Sequence, residues 1–194
     1  LRESSFLNGG LKITLTDERV IEEDEKPRHI TFKYENGIRD FIAHLNKKRK
    51  PIIDEIFHST ETEEDVFVET AFQYTGSYDE YSISFANNIK TPEGGTHETG
   101  FKTAVTQAMK EIIDERGLVK NGQEPISGED VRKGLVSVIS VKVPDPQFEG
   151  QTKNKLSNAD VRTIVHKVVK NHLLKTLSEN PKWIKPLLDK VMES

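Results

Sequence analysis

The 194-residue chain contains no cysteine, which excludes disulfides and thiolate metal sites and suits a reducing compartment. No apolar run approaches the ~20 residues that a membrane helix requires. The opening Leu1-Arg2-Glu3-Ser4-Ser5 carries no secretory pattern, so a cytoplasmic protein without membrane association is expected. Glycine-rich phosphate loops are missing too. There is no G-x-G-x-x-G and no Walker lysine, so the chain holds no phosphate cradle of its own. His29, His44, His58, His97, His166 and His172 show neither H-x-x-x-H nor H-E-x-x-H spacing, and no metal site is expected. An excess of positive charge is also lacking: the net charge is −4, unlike a domain devoted to nucleic acid. Any contact with DNA must come from a local basic surface.

What is present is a polar, core-forming chain, 34% hydrophobic and 31% charged. Its length fits one domain, or one domain with a fragment of another. Arg2 to about Asn8 reads as a short helix stopped by Gly9-Gly10. Leu11, Ile13 and Leu15 then alternate with polar residues as in a half-buried strand. Val20 to Pro27, with Glu22, Glu23, Asp24 and Glu25, reads as a linker. A strand from His29 to Tyr34 precedes a helix with Ile38, Phe41, Ile42 and Leu45 on one face. That helix ends in Lys47-Lys48-Arg49-Lys50. A nucleic-acid patch is one reading of this run; capping of the helix C-terminus and solvation is the preferred one, since Pro51 stops the helix there.

Val66, Val68, Phe72 and Tyr74 share a strand face, Gly76 to Asp79 turns, and Tyr81, Ile83 and Phe85 return, which predicts an antiparallel hairpin. Residues Asn87 to Gly100 form a loop long enough to suspect function. The following helix carries the stripe Phe101, Ala104, Val105, Ala108, Met109 and Ile112. Ser127 with Asp130, and Ser157 with Asp160, fit helix N-caps. A helix from about Ser157 buries Val161, Ile164, Val165, Val168, Leu173, Leu174 and Leu177; Pro181 ends it, and Trp183 anchors a last helix. Strands and helices interleave without a strict βαβ rhythm, so the fold class is α+β, with a mixed or antiparallel sheet and helices on one face.

Two loops stand out. Pro144-Asp145-Pro146-Gln147-Phe148-Glu149-Gly150-Gln151-Thr152-Lys153 follows a β-rich run, Leu135 to Val143. Two prolines remove backbone donors and end the strand, and Gly150 frees the chain to turn before an amide, a hydroxyl and an ammonium. A rigid exit with a cation at its tip can present Lys153 to a phosphate, though a solvated surface lysine is the plainer reading of the spacing alone. In the other loop, Gly94-Gly95-Thr96-His97 permits close backbone approach, and a structural role for the imidazole is expected.

The first of these loops resembles the QTK loop of bacterial type IIA topoisomerase B subunits, the DNA gyrase B family above all. Three further segments carry the likeness in order along the chain. Arg2 to Asn8 with Leu11 to Arg19 resembles the end of that family's ATPase domain. Phe85-Ala86-Asn87-Asn88-Ile89 with Gly94 to Lys102 resembles the heart of its transducer domain. Asp130 to Leu135 resembles the approach to the strand before the QTK loop. The resemblance implies the ribosomal S5 domain 2-like fold with a left-handed β-α-β crossover, against the usual handedness. It divides the chain into 1–19, the helix and strand ending a GHKL ATPase domain, and 20–194, the transducer.

In such proteins the Gln and Lys of the loop touch the ATP γ-phosphate, so Gln151 and Lys153 are the implied ATP-binding residues, with Lys153 catalytic. Lys102 matches a basic position lining the DNA cavity, where arginine is common. The intact enzyme would bind ATP and Mg²⁺, dimerise through its B subunits, and join the gyrase A subunit in an A2B2 heterotetramer on DNA. The remaining catalytic groups belong upstream of this chain, which alone is expected neither to bind nucleotide nor to hydrolyse ATP. The alternatives are a topoisomerase IV B subunit, a mismatch-repair or chaperone ATPase relative, and a non-enzymatic S5-like nucleic-acid module. The module should show a basic face and interleaved aromatics, which are absent here.

Overall fold

A computed structural model describes residues 1–19, 28–117 and 126–193. The expected linker at 20–27 lies outside the described residues. Helix α1 (Arg2–Phe6) and strand β1 (Lys12–Asp17) are followed by β2 (Arg28–Lys33), and the two strands form an antiparallel ribbon. Ile13 pairs with Phe32 and Leu15 with Ile30, so one ribbon face is apolar. Leu11, Leu15 and Ile30 are 45–49% exposed, so the half-buried strand read from the alternation has no covering layer among the described residues.

The main sheet has five strands, ordered β3 (Phe57–Glu63), β4 (Val66–Tyr74), β7 (Leu135–Lys142), β5 (Tyr81–Ala86) and β6 (Ile89–Lys90). Among the described strands only β5 and β7 pair in parallel, joined by a crossover that carries β6, α3 (Thr96–Glu115) and α4 (Gly128–Arg132). The predicted pairing of β4 with β5 is therefore wrong: β7 lies between them, pairing Ala71 with Val138 on one side and Ile83 with Val138 on the other. Leu135 to Val141 is buried at every position, as a central strand covered on both faces must be.

Helices cover both faces of this sheet, not one. Strand alternation sends Leu135, Ile139 and Val141 towards α3 and α5 (Ala159–Glu179), where they meet Val68, Phe72, Phe101, Val105 and Val165. The opposite parity, Val136 and Val138 with Ala71, Ile83 and Phe85, meets α2 (Ile38–Leu45) and Phe6 of α1. Of the predicted apolar stripe, Ile38, Phe41 and Ile42 are buried and Leu45 is half-buried at its edge. Phe6 stacks on Phe41 at 4.5 Å between ring centroids and on Tyr34 at 3.7 Å. Helices α3 and α5 approach so closely at Gly100 that a Cβ there would lie 2.5 Å from the Arg162 carbonyl oxygen.

After α5, Pro181–Trp183 makes one 3-10 turn and α6 (Ile184–Met192) closes the core, with Trp183 edge-on to Phe57 at 5.6 Å. The Ser127–Asp130 capping box forms as expected, and it holds the Asp130 carboxyl down to about 2, chiefly through the Ser127 hydrogen bond. The Ser157 cap does not form. Asn158 occupies the N-cap, and the Ser157 hydroxyl donates instead to the Gln147 carbonyl at 3.1 Å.

Candidate functional site

The loop between β7 and α5 is a stem with a tip. Val143 N–H donates to Asn87 Oδ1 at 2.7 Å, so the strand end is fixed before Pro144. The stem closes through Glu149 N–H to the Lys155 carbonyl at 2.9 Å and Ser157 N–H to the Gln147 carbonyl at 2.8 Å. Asn158 links both sides, accepting from Gln147 N–H at 2.7 Å and donating to the Asp145 carbonyl at 3.0 Å. The tip reverses with Gly150 at φ +75 and Lys153 at φ +56. Residues 149–153 are exposed throughout. A Cβ at Gly150 would meet nothing within 4 Å.

Lys153 and Gln151 are thus held out on an open tip. The Lys153 ammonium stands 6.0 Å from the Phe148 ring centroid, and no ion pair ties it to a carboxylate among the described residues. Phe148 and Leu156 form the bridge at the neck, with Leu156 fully buried. The neighbouring cation, Lys155, is neutralised by Glu149 at 3.1 Å.

The base of the stem is clamped by the Gly94-Gly95 loop. Leu156 N–H donates to the Gly94 carbonyl at 3.2 Å, and Thr96 N–H to the Leu156 carbonyl at 3.0 Å. Glu93 and Asn154 pair at both backbone and side chain, at 3.1 Å each. Gly95 sits at φ +140, and a Cβ there would lie 2.4 Å from the Leu156 carbonyl oxygen. The close approach expected of these glycines is made, and it is made to the chain's own backbone.

Beneath the clamp lies a buried polar network. The Thr91 hydroxyl lies within hydrogen-bond distance of the Ser84 hydroxyl at 2.8 Å, the Ser84 carbonyl at 3.0 Å and His97 Nε2 at 3.1 Å. His97 Nδ1 is buried without a partner among the described residues. Charging the ring would place an N–H there with none of those residues to accept it. Burial accordingly pushes the His97 pKa down to about 4, with Glu98 opposing. The imidazole is structural, as expected.

Glu98 accepts from the Ser84 hydroxyl at 2.9 Å and from Lys102 at 2.9 Å. Lys102 also reaches Glu80 at 3.2 Å, and Glu80 accepts from Arg132 at 3.0 Å. Two carboxylates face two cations, so this cluster is neutral. Burial alone would lower the Lys102 pKa, but hydrogen bonds and the fields of Glu98 and then Glu80 outweigh it, and the net shift is upward. Lys102 is well charged, yet its charge is already matched.

Similarity to known proteins follows the same regions. Residues 37–194 match the DNA gyrase B family. The chain belongs to that family. It is 44% identical over 192 residues to the DNA gyrase B subunit of Enterococcus faecalis, covering 99% of this chain and 29% of that protein. The chain thus spans under a third of the length of this relative. Among solved structures, the 43K ATPase domain of Thermus thermophilus gyrase B, in complex with an aminocoumarin, superposes with a TM-score of 0.86 at 33% identity. That match covers 99% of this chain and 50% of the other. The topoisomerase IV ATP-binding domain of Francisella tularensis gives 0.80 at 30% identity, again over 50% of its length.

Gln151 and Lys153 are brought together at one tip, while Lys102 sits in the second turn of α3, beyond the clamp and in a separate cluster. Sequence reading missed Glu80, Ser84, Thr91, Glu93, Arg132 and Asn154. Only the Glu98–Lys102 pair had a readable signal, its i, i+4 spacing. A cleft of about 400 Å³ lined by Glu111, Ile112, Arg116 and Leu177 lies at the far end of α3 and adjoins none of these groups. Among the described residues no helix is long and apolar enough to cross a membrane.

Proposed function

We propose that the chain is the transducer region of a gyrase B subunit, of ribosomal S5 domain 2-like fold with a left-handed crossover between β5 and β7. In this reading residues 1–19 end the ATPase domain and 20–194 form the transducer. The open apolar face of the β1–β2 ribbon supports it, since Leu11, Leu15 and Ile30 need a covering layer that the rest of an ATPase domain would supply. The intact enzyme would couple ATP use to DNA strand passage and negative supercoiling, with the gyrase A subunit as partner in an A2B2 assembly and with B-subunit dimerisation on ATP binding. A topoisomerase IV B subunit is the second reading, favoured by the Francisella similarity.

The observation that carries the proposal is the Gln151–Lys153 tip: exposed, on a hydrogen-bonded stem, with its cation outside any ion pair among the described residues. Such a tip fits a phosphate. Lys153 supplies a compact point charge and Gln151 a neutral amide donor. Among the described residues neither is joined by a cluster of acids that would hold Mg²⁺, and this reading assigns the metal and the rest of the nucleotide site to the ATPase domain. A triphosphate bound there supplies the γ-phosphoryl group for transfer to water; the role of Lys153 is to place positive charge where negative charge develops. Cations supplied across an interface in this way are worth roughly 10³ to 10⁵ in rate in other phosphoryl-transfer enzymes.

The stem carries the signal inward. Any displacement of the tip pulls on Leu156, and Leu156 is bonded to Gly94 and Thr96 at the start of α3. A phosphate contact made and lost at Lys153 would therefore bias the position of α3 and the sheet, a rigid-body switch of a familiar kind. Lys102, on the same helix, is placed in this reading at the border of the DNA path.

The test is Lys153→Ala in the intact protein. Steady-state ATP turnover should fall at least tenfold, about 1.4 kcal/mol or more of transition-state stabilisation. The melting temperature should be unchanged, because the side chain packs against little. Gln151→Ala should reduce turnover in the same direction but less. Wild-type turnover in Lys153→Ala would overturn the proposal.

A further inference from the structure

We propose that Lys47, Lys48, Arg49 and Lys50 form a docking turn for the phosphodiester backbone of duplex DNA. All four side chains are exposed, and none is within ion-pair distance of a carboxylate among the described residues. Arg49 alone caps the preceding helix, donating to the Leu45 carbonyl at 2.6 Å. A capping hydrogen bond therefore accounts for one cation of the four, and the other three make no side-chain ion pair among the described residues. Elsewhere the described ion pairs consume charge that the sequence offers, Lys102 and Arg132 against Glu80 and Glu98 being the nearest case.

The turn is fixed at both ends. Before it, Asn46 is buried and donates to Gln73 Oε1 at 2.8 Å, and Arg49 N–H returns to the Asn46 carbonyl at 2.9 Å. After it, Gly76 N–H donates to the Lys50 carbonyl at 3.0 Å, and Pro51 bridges Thr75. A backbone held this way loses little further entropy when its side chains meet a ligand, which favours binding.

The neighbouring loop completes the surface. Tyr78 and Tyr81 are 67% and 41% exposed. Arg49 lies 5.4 Å over the Tyr81 ring, and Lys190 lies 4.2 Å over the Tyr78 ring. Each ring thus has one face taken by a cation, which holds Arg49 and Lys190 at the same surface. Asp79 is the acid within that loop. Glu80, next to Tyr81, is occupied by Lys102 and Arg132 and does not pair with the turn. Closely spaced cations on a rigid turn suit the regular charge of a duplex better than an irregular acidic peptide.

The inference rests on the gyrase B reading only for DNA being at hand, and its test does not involve Lys153 or ATP. A fluorescently labelled 20-base-pair duplex is titrated with the 194-residue chain over a series of salt concentrations. Lys47→Gln/Lys48→Gln/Lys50→Gln, which leaves the capping Arg49 in place, should weaken binding roughly tenfold or more. It should also flatten the salt dependence by about two to three, near 0.9 per lost phosphate contact. The melting temperature should match wild type, and Lys182→Gln/Lys185→Gln should bind as wild type does. Failure of the wild-type chain to bind duplex, an unchanged affinity and salt slope in the triple variant, or an equal loss in the control variant would each overturn the assignment. Polyglutamate bound as tightly as duplex, and lost in the same variant, would overturn it in favour of an acidic peptide.

Discussion

Around Gly94, Gly95 and His97 the chain is buried and its backbone is tied to Leu156, whereas from Glu149 to Lys153 every residue is exposed. The two loops touch at Gly95 and Leu156, yet they solve opposite problems. The first holds a helix start, a strand end and a loop stem in one place, and it uses backbone approach that only glycine permits. The second must project a cation, and it uses a paired stem, a glycine turn and open space. The two loops are therefore one device, a clamp and the arm it holds.

Substituting the glycines breaks this comparison most sharply. Gly95→Ala would force a Cβ to 2.4 Å from the Leu156 carbonyl at φ +140. A loss of about 4 kcal/mol or more is expected, which in a chain of this size lowers the melting temperature by about 10 °C or more, or prevents folding. Gly150→Ala has φ +75 but no steric neighbour, so it should cost only about 1 kcal/mol. Equal losses at the two positions would show that the arm is packed as tightly as the clamp.

The next effect is the pH dependence that His97 contributes in the clamp. Burial holds the His97 pKa at about 4 against an ordinary 6.5, so between those values the unfolded chain binds the proton and the folded one does not. The His97 contribution is complete above pH 6.5 and is lost as the pH falls to about 4, by about 3 kcal/mol. Denaturant titrations of wild type and His97→Gln should therefore converge as the pH drops through this window. A constant difference would remove His97 from the network.

The smallest effect separates two lysines. Lys102→Gln removes the partner of Glu98 and Glu80, and with a third of the side chain exposed the cost should be of order 1 kcal/mol, a fall of a few degrees in melting temperature. Lys153→Gln should melt as wild type does. If both variants melt alike, Lys102 is as free as the arm's cation.

Much of this architecture was legible from spacing. The stripes at 38, 41 and 42, at 101 to 112 and at 161 to 177 are buried where the helical period puts them. The strand end at Pro144 and the turn at Gly150 follow from residue chemistry alone. Strand β3 was not legible. It is an edge strand whose second half is polar, and it reaches β4 through Glu64-Asp65, both at positive φ where Asn-Gly would have announced the turn. The true hairpins enclose Glu64-Asp65 and Asn87-Asn88, while the turn at Gly76 to Asp79 joins strands that never pair. Loop 87–100 proved shorter than expected, because the helix begins at Thr96 and a two-residue strand occupies Ile89 and Lys90.

The sequence by itself determined the family, the helix faces, the rigid exit after β7 and the identity of the two polar groups at its tip. Those properties depend on residues close together in the chain, where period, proline and glycine act directly. Tertiary structure decided the insertion of β7 between β4 and β5, the helix on the second sheet face, and which lysines carry usable charge. A cation's field depends on what lies within about 4 Å of it, and for Lys102 the deciding partner, Glu80, comes from the loop before β5. Lys153 and the turn at 47–50 have no such partner among the described residues, a fact that no local spacing could have revealed.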